Sequence, residues 1–121
     1  MMAEYAEALK RNGIDYDGAM ERFGGNAELY ERLALKFLDD THFAALEQAL
    51  AGGDVGTAVR EAHTLKGVAG NLSFAALYEA ASKVNAALRE GDLAGATALM
   101  DPVRSAHAAV VSALSSLRDA R

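Results

Sequence analysis

The chain has no cysteine, no tryptophan and a single proline in 121 residues. Without cysteine, disulfide staples and thiolate metal sites are excluded. With one proline, long helices can propagate with little interruption. No apolar run approaches the ~18 residues needed to span a membrane. The opening MMAEYAEALKRNG carries acids where a signal peptide would have its apolar core. A soluble, cytoplasmic protein that does not engage a membrane is expected. Basic excess is missing too: the net charge is −5, whereas a nucleic-acid binder normally shows a basic face. What is abundant is small and apolar residues, 51% of the chain being hydrophobic. At this length that supports one core and one domain over residues 1–121, and the alanine-rich composition points to an all-α protein.

Glycine, asparagine and aspartate clusters punctuate the chain at RNGID, FGGNAE, LAGGDV, GNLSF and REGDL. They predict two short helices near 3–11 and 16–23, then long ones near 27–51, 54–71, 74–90 and 93–118. Asn26, Asp54, Ser73 and Asp92 stand where N-caps or first-turn acids belong. Four long segments with short connections predict an antiparallel up-down four-helix bundle preceded by short N-terminal helices. Phe74, Leu77, Tyr78, Ala81, Val84 and Leu88 keep the three-and-four spacing of a buried stripe, as do Val103, Ala106, Val110, Leu114 and Leu117. Phe23, Tyr30, Phe37, Phe43, Phe74 and Tyr78 are expected in the core. In the segment 27–51 the stripe Leu29, Leu33, Phe37 is rotated from Phe43, Leu46, Leu50, which predicts a bend near DDTH, residues 39–42. Pro102 predicts a kink or interruption in the last helix.

The stretch EAHTLKGVAGNLS, residues 61–73, puts two glycines inside a helix, each costing about 0.5–1 kcal/mol relative to alanine. On a helical wheel Val55, Ala58, Ala62, Leu65 and Ala69 form the core face. His63, Gly67 and Gly70 share an adjacent stripe, with Val59 and Lys66 on the border. The glycines thus leave bare surface beside a histidine, one and two turns further on. An exposed imidazole is a nucleophile near neutral pH, and Lys66 offers a positive charge to an anion at the ring. Phosphoryl transfer asks mainly for positioning and charge neutralisation, so a site this sparse suffices if the partner brings the metal. The charge distribution permits an anionic ligand: residues 54–89 carry three acids against four bases, whereas residues 1–53 carry ten against five.

AHTLKGVAGNL closely resembles the signature of histidine phosphotransfer (HPt) domains, with His63, Lys66, Gly67 and Gly70 in its His-x-x-Lys-Gly-x-x-Gly arrangement. GIDYDGAMERFGGNAELYERLALKFL resembles the family's lead-in, and ALREGDLAGA its entry to the last helix. The resemblance implies a phosphorelay intermediate. His63 would take a phosphoryl group from a receiver-domain aspartate of a response regulator or hybrid histidine kinase and pass it to another receiver. No intrinsic cofactor is implied; Mg²⁺ would be held by the receiver's carboxylates. Docking would use Gly67, Val68, Gly70 and the flank of helix 27–51.

Two positions depart from the family pattern. Glycine is frequent where Ser73 stands, and serine is expected there as a cap for the next helix. If helices 54–71 and 74–90 run antiparallel about residue 74, position 85 faces position 63. The family commonly carries glutamate or glutamine there, bonded to the ring nitrogen that is not phosphorylated. Asn85 is shorter than glutamine by a methylene and is expected to hold the ring directly or through water.

His42 and His107 lack such a context and read as solvated or structural; three histidines on three helices make no metal site. No ATP-binding segment is visible, so no kinase activity is expected. The start MMAEY reads as that of a free-standing protein, the alternative being an excised segment of a hybrid kinase. A binding module that docks receivers without accepting phosphate is the other competing reading. A monomer is expected.

Overall fold

A computed structural model describes residues 5–120. Those residues form α1 (Ala6–Arg11), α2 (Tyr16–Arg22), α3 (Ala27–Lys36), a 3₁₀ turn (Phe37–Asp39), α4 (His42–Ala51), α5 (Val55–Asn71), α6 (Ala75–Arg89), α7 (Leu93–Ala98) and α8 (Met100–Asp119), with no strand among them. The protein is all-helical, as its composition implies. The start of the expected first helix, residues 3 and 4, lies outside the described residues.

Side-chain caps set several of the helix starts. Asp15, Asn26, Asp54 and Asp92 each accept a hydrogen bond from the backbone N–H three residues on, satisfying a donor the helix cannot. Hydrogen bonds from the Thr57 hydroxyl and then its backbone N–H hold the Asp54 carboxyl below its ordinary pKa. Three of the four expected caps are therefore in place.

Ser73 is the exception, because it belongs to the end of α5 and not to the start of α6. After α4 and α6 the chain reverses through Gly53 and Gly91, at φ +70° and +79°. Each reversal is closed by a bond from the following residue's N–H back into the helix, Asp54 to Ala49 and Asp92 to Ala87, both 2.9 Å. The α5–α6 turn repeats this pattern, with Phe74 N–H donating to the Ala69 carbonyl at 2.8 Å and Ser73 in the glycine position at φ +58°. Phe74 then occupies the N-cap position, where its side chain makes no capping bond; its ring is fully buried against Phe37, centroids 5.1 Å apart. The missing cap comes from another part of the chain. Ala76 N–H donates to the Gly13 carbonyl at 3.1 Å, and Asp15 N–H to the Ser73 carbonyl at 2.8 Å. A Cβ at Gly13 would meet that of Ala76 at 2.6 Å, so the α1–α2 turn fits this corner only as glycine.

The expected helix 27–51 is two helices. The bend near residues 39–42 is a full break, with a 3₁₀ turn before it and Asp40 Oδ1 accepting the His42 N–H after it. The segment 93–118 is divided as well, at Leu99 between α7 and α8. Pro102 lies three residues later, in the first turn of α8, where its missing N–H leaves no bond unmade. The interruption is upstream of the proline because its ring clashes with the carbonyl four residues before it.

In the core, α5 packs against α4 and α6, and α6 against α7 and α8. Tyr30, Leu46, Leu65, Phe74, Leu77, Val84, Leu88, Met100, Leu114 and Leu117 are buried there. The N-terminal helices add Leu9, Ile14 and Ala19 to the same core, and the buried Tyr30 hydroxyl donates to the Leu72 carbonyl at 2.6 Å. Burial pushes the Tyr30 hydroxyl pKa up. Phe23 and Phe43 are partly buried against this core, but Val55 and Tyr78, expected inside it, are exposed. No described helix is long and apolar enough to cross a membrane.

Candidate functional site

The site is built on α5, whose 17 residues are anchored on both sides. Ala58, Ala62, Leu65 and Ala69 are fully buried, and their spacing turns the opposite ridge outward. His63 lies on that ridge and is exposed. Its ring has no hydrogen-bond partner among the described residues. Lys66 is partly buried, one turn further on, and its ammonium makes no ion pair among the described residues. A cation within one turn of an exposed imidazole can balance the charge of an anion brought to the ring.

The two glycines differ in surroundings. A Cβ at Gly67 would meet nothing within 4 Å, so the backbone there is open to an approaching surface. A Cβ at Gly70 would lie 3.0 and 3.1 Å from Cδ1 and Cε1 of Tyr78. The ring from α6 therefore uses the space that Gly70 leaves. Val68 is only partly buried but packs against the core, so it shares its surface between the interior and solvent. The α4 flank of the site begins after the helix break at residues 40 and 41.

Asn85 is buried, 2% exposed, on the neighbouring helix. No hydrogen bond joins it to His63. Its Nδ2 donates to the Val59 carbonyl at 3.5 Å, a long bond. In an α-helix that carbonyl also accepts the N–H of residue 63. Asn85 thus reaches the backbone turn that carries His63, and no direct bond joins it to the ring.

On the other side, His42 Nδ1–H donates to Glu61 Oε2 at 2.6 Å, both side chains being partly buried. This bond ties the first turn of α4 to α5 two residues before His63. His107 stacks on Phe43, centroids 4.1 Å apart and planes 14° from parallel, and burial lowers its pKa. These two histidines are structural. Glu61 and Tyr78 escaped the sequence reading of the site. The antiparallel register that pairs position 63 with 85 also pairs 70 with 78, and was the signal for Tyr78. Nothing in the sequence marks Glu61 as the partner of His42. No group of three or more His, Asp or Glu side chains is placed to hold a metal ion among the described residues.

The Hpt domain family model matches residues 37–120, more than half of the chain, and the chain belongs to that family. Histidine phosphotransfer within two-component signalling, with receiver domains and kinases as the interacting classes, follows from that membership. The match begins at the 3₁₀ turn and covers α4 to α8, including His63, Lys66, Gly67, Gly70 and Asn85. The comparison with curated proteins and that with solved structures gave no match.

Proposed function

We propose that His63 is the phosphoryl acceptor of a phosphorelay intermediate. The observation that carries this reading is an exposed, unpartnered imidazole on a bare helical ridge, one turn from the unpaired ammonium of Lys66. In the forward step a ring nitrogen of neutral His63 attacks the phosphorus of a receiver's aspartyl phosphate. The N–P bond forms as the P–O bond breaks, the aspartate leaves as carboxylate, and the ring keeps its proton on the other nitrogen. The reverse step passes the group to the aspartate of a second receiver, and no nucleotide takes part.

Lys66 balances the charge of the transferring group, Gly67 leaves room for the rim of the receiver's pocket, Gly70 gives its space to the Tyr78 ring beside it, and Val68 borders the contact. Asn85 is a positioning residue that acts through the Val59 carbonyl, with a water-bridged contact to the ring as the second route. Mg²⁺ is held by the receiver's own carboxylates. The helices follow one another as an up-down bundle in a single unit of residues 1–121, working as a cytoplasmic monomer.

The test is incubation with phosphorylated receiver domains from the same genome, one of which should lose label to the protein. The label should be acid-labile and base-stable, as a phosphoramidate is. His63→Gln should abolish acceptance while receiver binding persists, and Lys66→Ala should slow transfer without ending it. Acid-stable label on Thr64 or Ser73 that survives in His63→Gln would refute the assignment. Unimpaired binding with no label in the unmodified protein would favour a docking module.

A further inference from the structure

Among the described residues two large apolar side chains are exposed, Val55 at 37% and Tyr78 at 42%. Val55 opens α5, whereas Tyr78 lies on the first turn of α6 and leans across onto α5. Its ring edge occupies the space a Cβ of Gly70 would need, 3.0 Å from that point. The ring is thus seated on helix backbone with much of its surface in solvent. A half-exposed aromatic held this way has little rotational freedom left to lose when a partner covers it.

Its position relates it to the reacting group. Gly70 follows His63 by seven residues, two turns of the same ridge, which is about 10 Å along α5. Between them lie Lys66 and the open backbone at Gly67. The α5–α6 hairpin is also the part of the chain without an acidic excess. It therefore suits a surface with an acid-lined pocket, as one presenting an aspartyl phosphate and its Mg²⁺ must have.

The geometry points to Tyr78 as the apolar anchor on which the receiver domain seats itself, an inference that rests on His63 being the acceptor. The fitting partner presents an apolar side chain about 10 Å from its phosphorylated aspartate, so that both ends of the ridge are engaged together. Receivers lacking that side chain bind the ridge weakly, and Tyr78 selects among them.

Tyr78→Ser and Tyr78→Phe separate this from a structural role, with circular dichroism and the thermal midpoint reporting the fold. Two phosphodonors are compared: a phosphorylated receiver, and phosphoramidate, a small donor that needs no docking surface. Tyr78→Ser should raise KM for the receiver about ten- to thirty-fold, with the saturated rate and phosphoramidate labelling changed by less than about two-fold. Tyr78→Phe should stay close to the unmodified protein, because the ring and not the hydroxyl carries the contact. An unchanged KM in Tyr78→Ser would overturn the inference, as would an equal loss of labelling from both donors. Failure of the unmodified protein to take acid-labile label from either donor would refute the acceptor reading itself, and this inference with it.

Discussion

Asn85 and Val59 are joined across the α5–α6 hairpin, the buried amide donating to the carbonyl that also receives the N–H of His63. No direct bond joins the amide to the imidazole; its contact is to the backbone one turn before His63. Asparagine is shorter than glutamine by a methylene, and its amide ends at the α5 backbone.

Asn85→Leu tests what that bond does, since leucine keeps the branched four-atom skeleton while replacing the amide by two bulkier methyl groups. The Val59 carbonyl keeps its helical donor and the bond lost is long, so the stability cost should come mainly from fitting the larger side chain, about 1–3 kcal/mol. Transfer from a receiver should slow by several-fold if the amide positions His63, directly or through water. Chemical denaturation and single-turnover transfer check the two halves. An unchanged transfer rate would reduce Asn85 to a packing residue.

Much of α5 was legible because its signals are local. The Gly52-Gly53-Asp54 stop and cap fix its start, and the wheel separates the His63 ridge from the buried alanines without reference to other helices. Tyr78 was misplaced for the opposite reason. It keeps step with Phe74, Leu77 and Ala81, so periodicity assigns it to the core. What draws its ring outward is a missing Cβ on a different helix, which no count along α6 can register. Ser73 was misread because a serine between two helices looks like a cap, whereas its conformation is dictated by the Schellman-type closure from Phe74 to Ala69. The break after Phe37 was visible as a rotated stripe, but its completeness depends on Asp40 capping His42.

Ser73→Gly should stabilise the protein. A non-glycine residue in the left-handed region costs roughly 1–2 kcal/mol, offset in part by the greater freedom glycine gives the unfolded chain. A net gain of about 0.5–1 kcal/mol is expected, read as a higher urea midpoint at unchanged slope. Gly13→Ala should act in the reverse direction by about 2 kcal/mol or more, through the contact with Ala76 and the strained φ of +81°. A neutral Gly13→Ala would mean that the α1–α2 turn does not hold the start of α6.

His107 gives the fold a pH dependence. Burial lowers its pKa below the ordinary value of 6.5, with Asp40 and Glu47 pulling the other way. Below that ordinary value the unfolded chain takes up the proton before the folded protein does. The contribution of neutral His107 is therefore complete above about pH 6.5 and is lost as pH falls toward its folded-state pKa. His107→Phe keeps a ring against Phe43 and removes the titration. Urea midpoints between pH 7.5 and 5.5 should fall less steeply for the variant than for the unmodified protein. Parallel slopes would show that the stacked ring does not resist protonation.

Gly67 separates docking from stability most cleanly, because its surroundings are empty. Nothing lies within 4 Å of a Cβ there, so Gly67→Ala should recover the helix penalty and stabilise the protein by about 0.8–1 kcal/mol. At Gly70 the same change presses on the Tyr78 ring, and the gain should be smaller or absent. Gly67→Arg also suits a helix, yet it places a long side chain one turn from His63 where the receiver must approach. Thermal stability should therefore hold or rise while transfer from the receiver falls by at least about a hundred-fold, a loss of nearly 3 kcal/mol of transition-state stabilisation. Labelling by phosphoramidate, which needs far less room, should persist. If Gly67→Arg folded normally and still accepted phosphoryl groups from the receiver at the original rate, the partner would approach His63 along another face, and the bare ridge would need a different explanation.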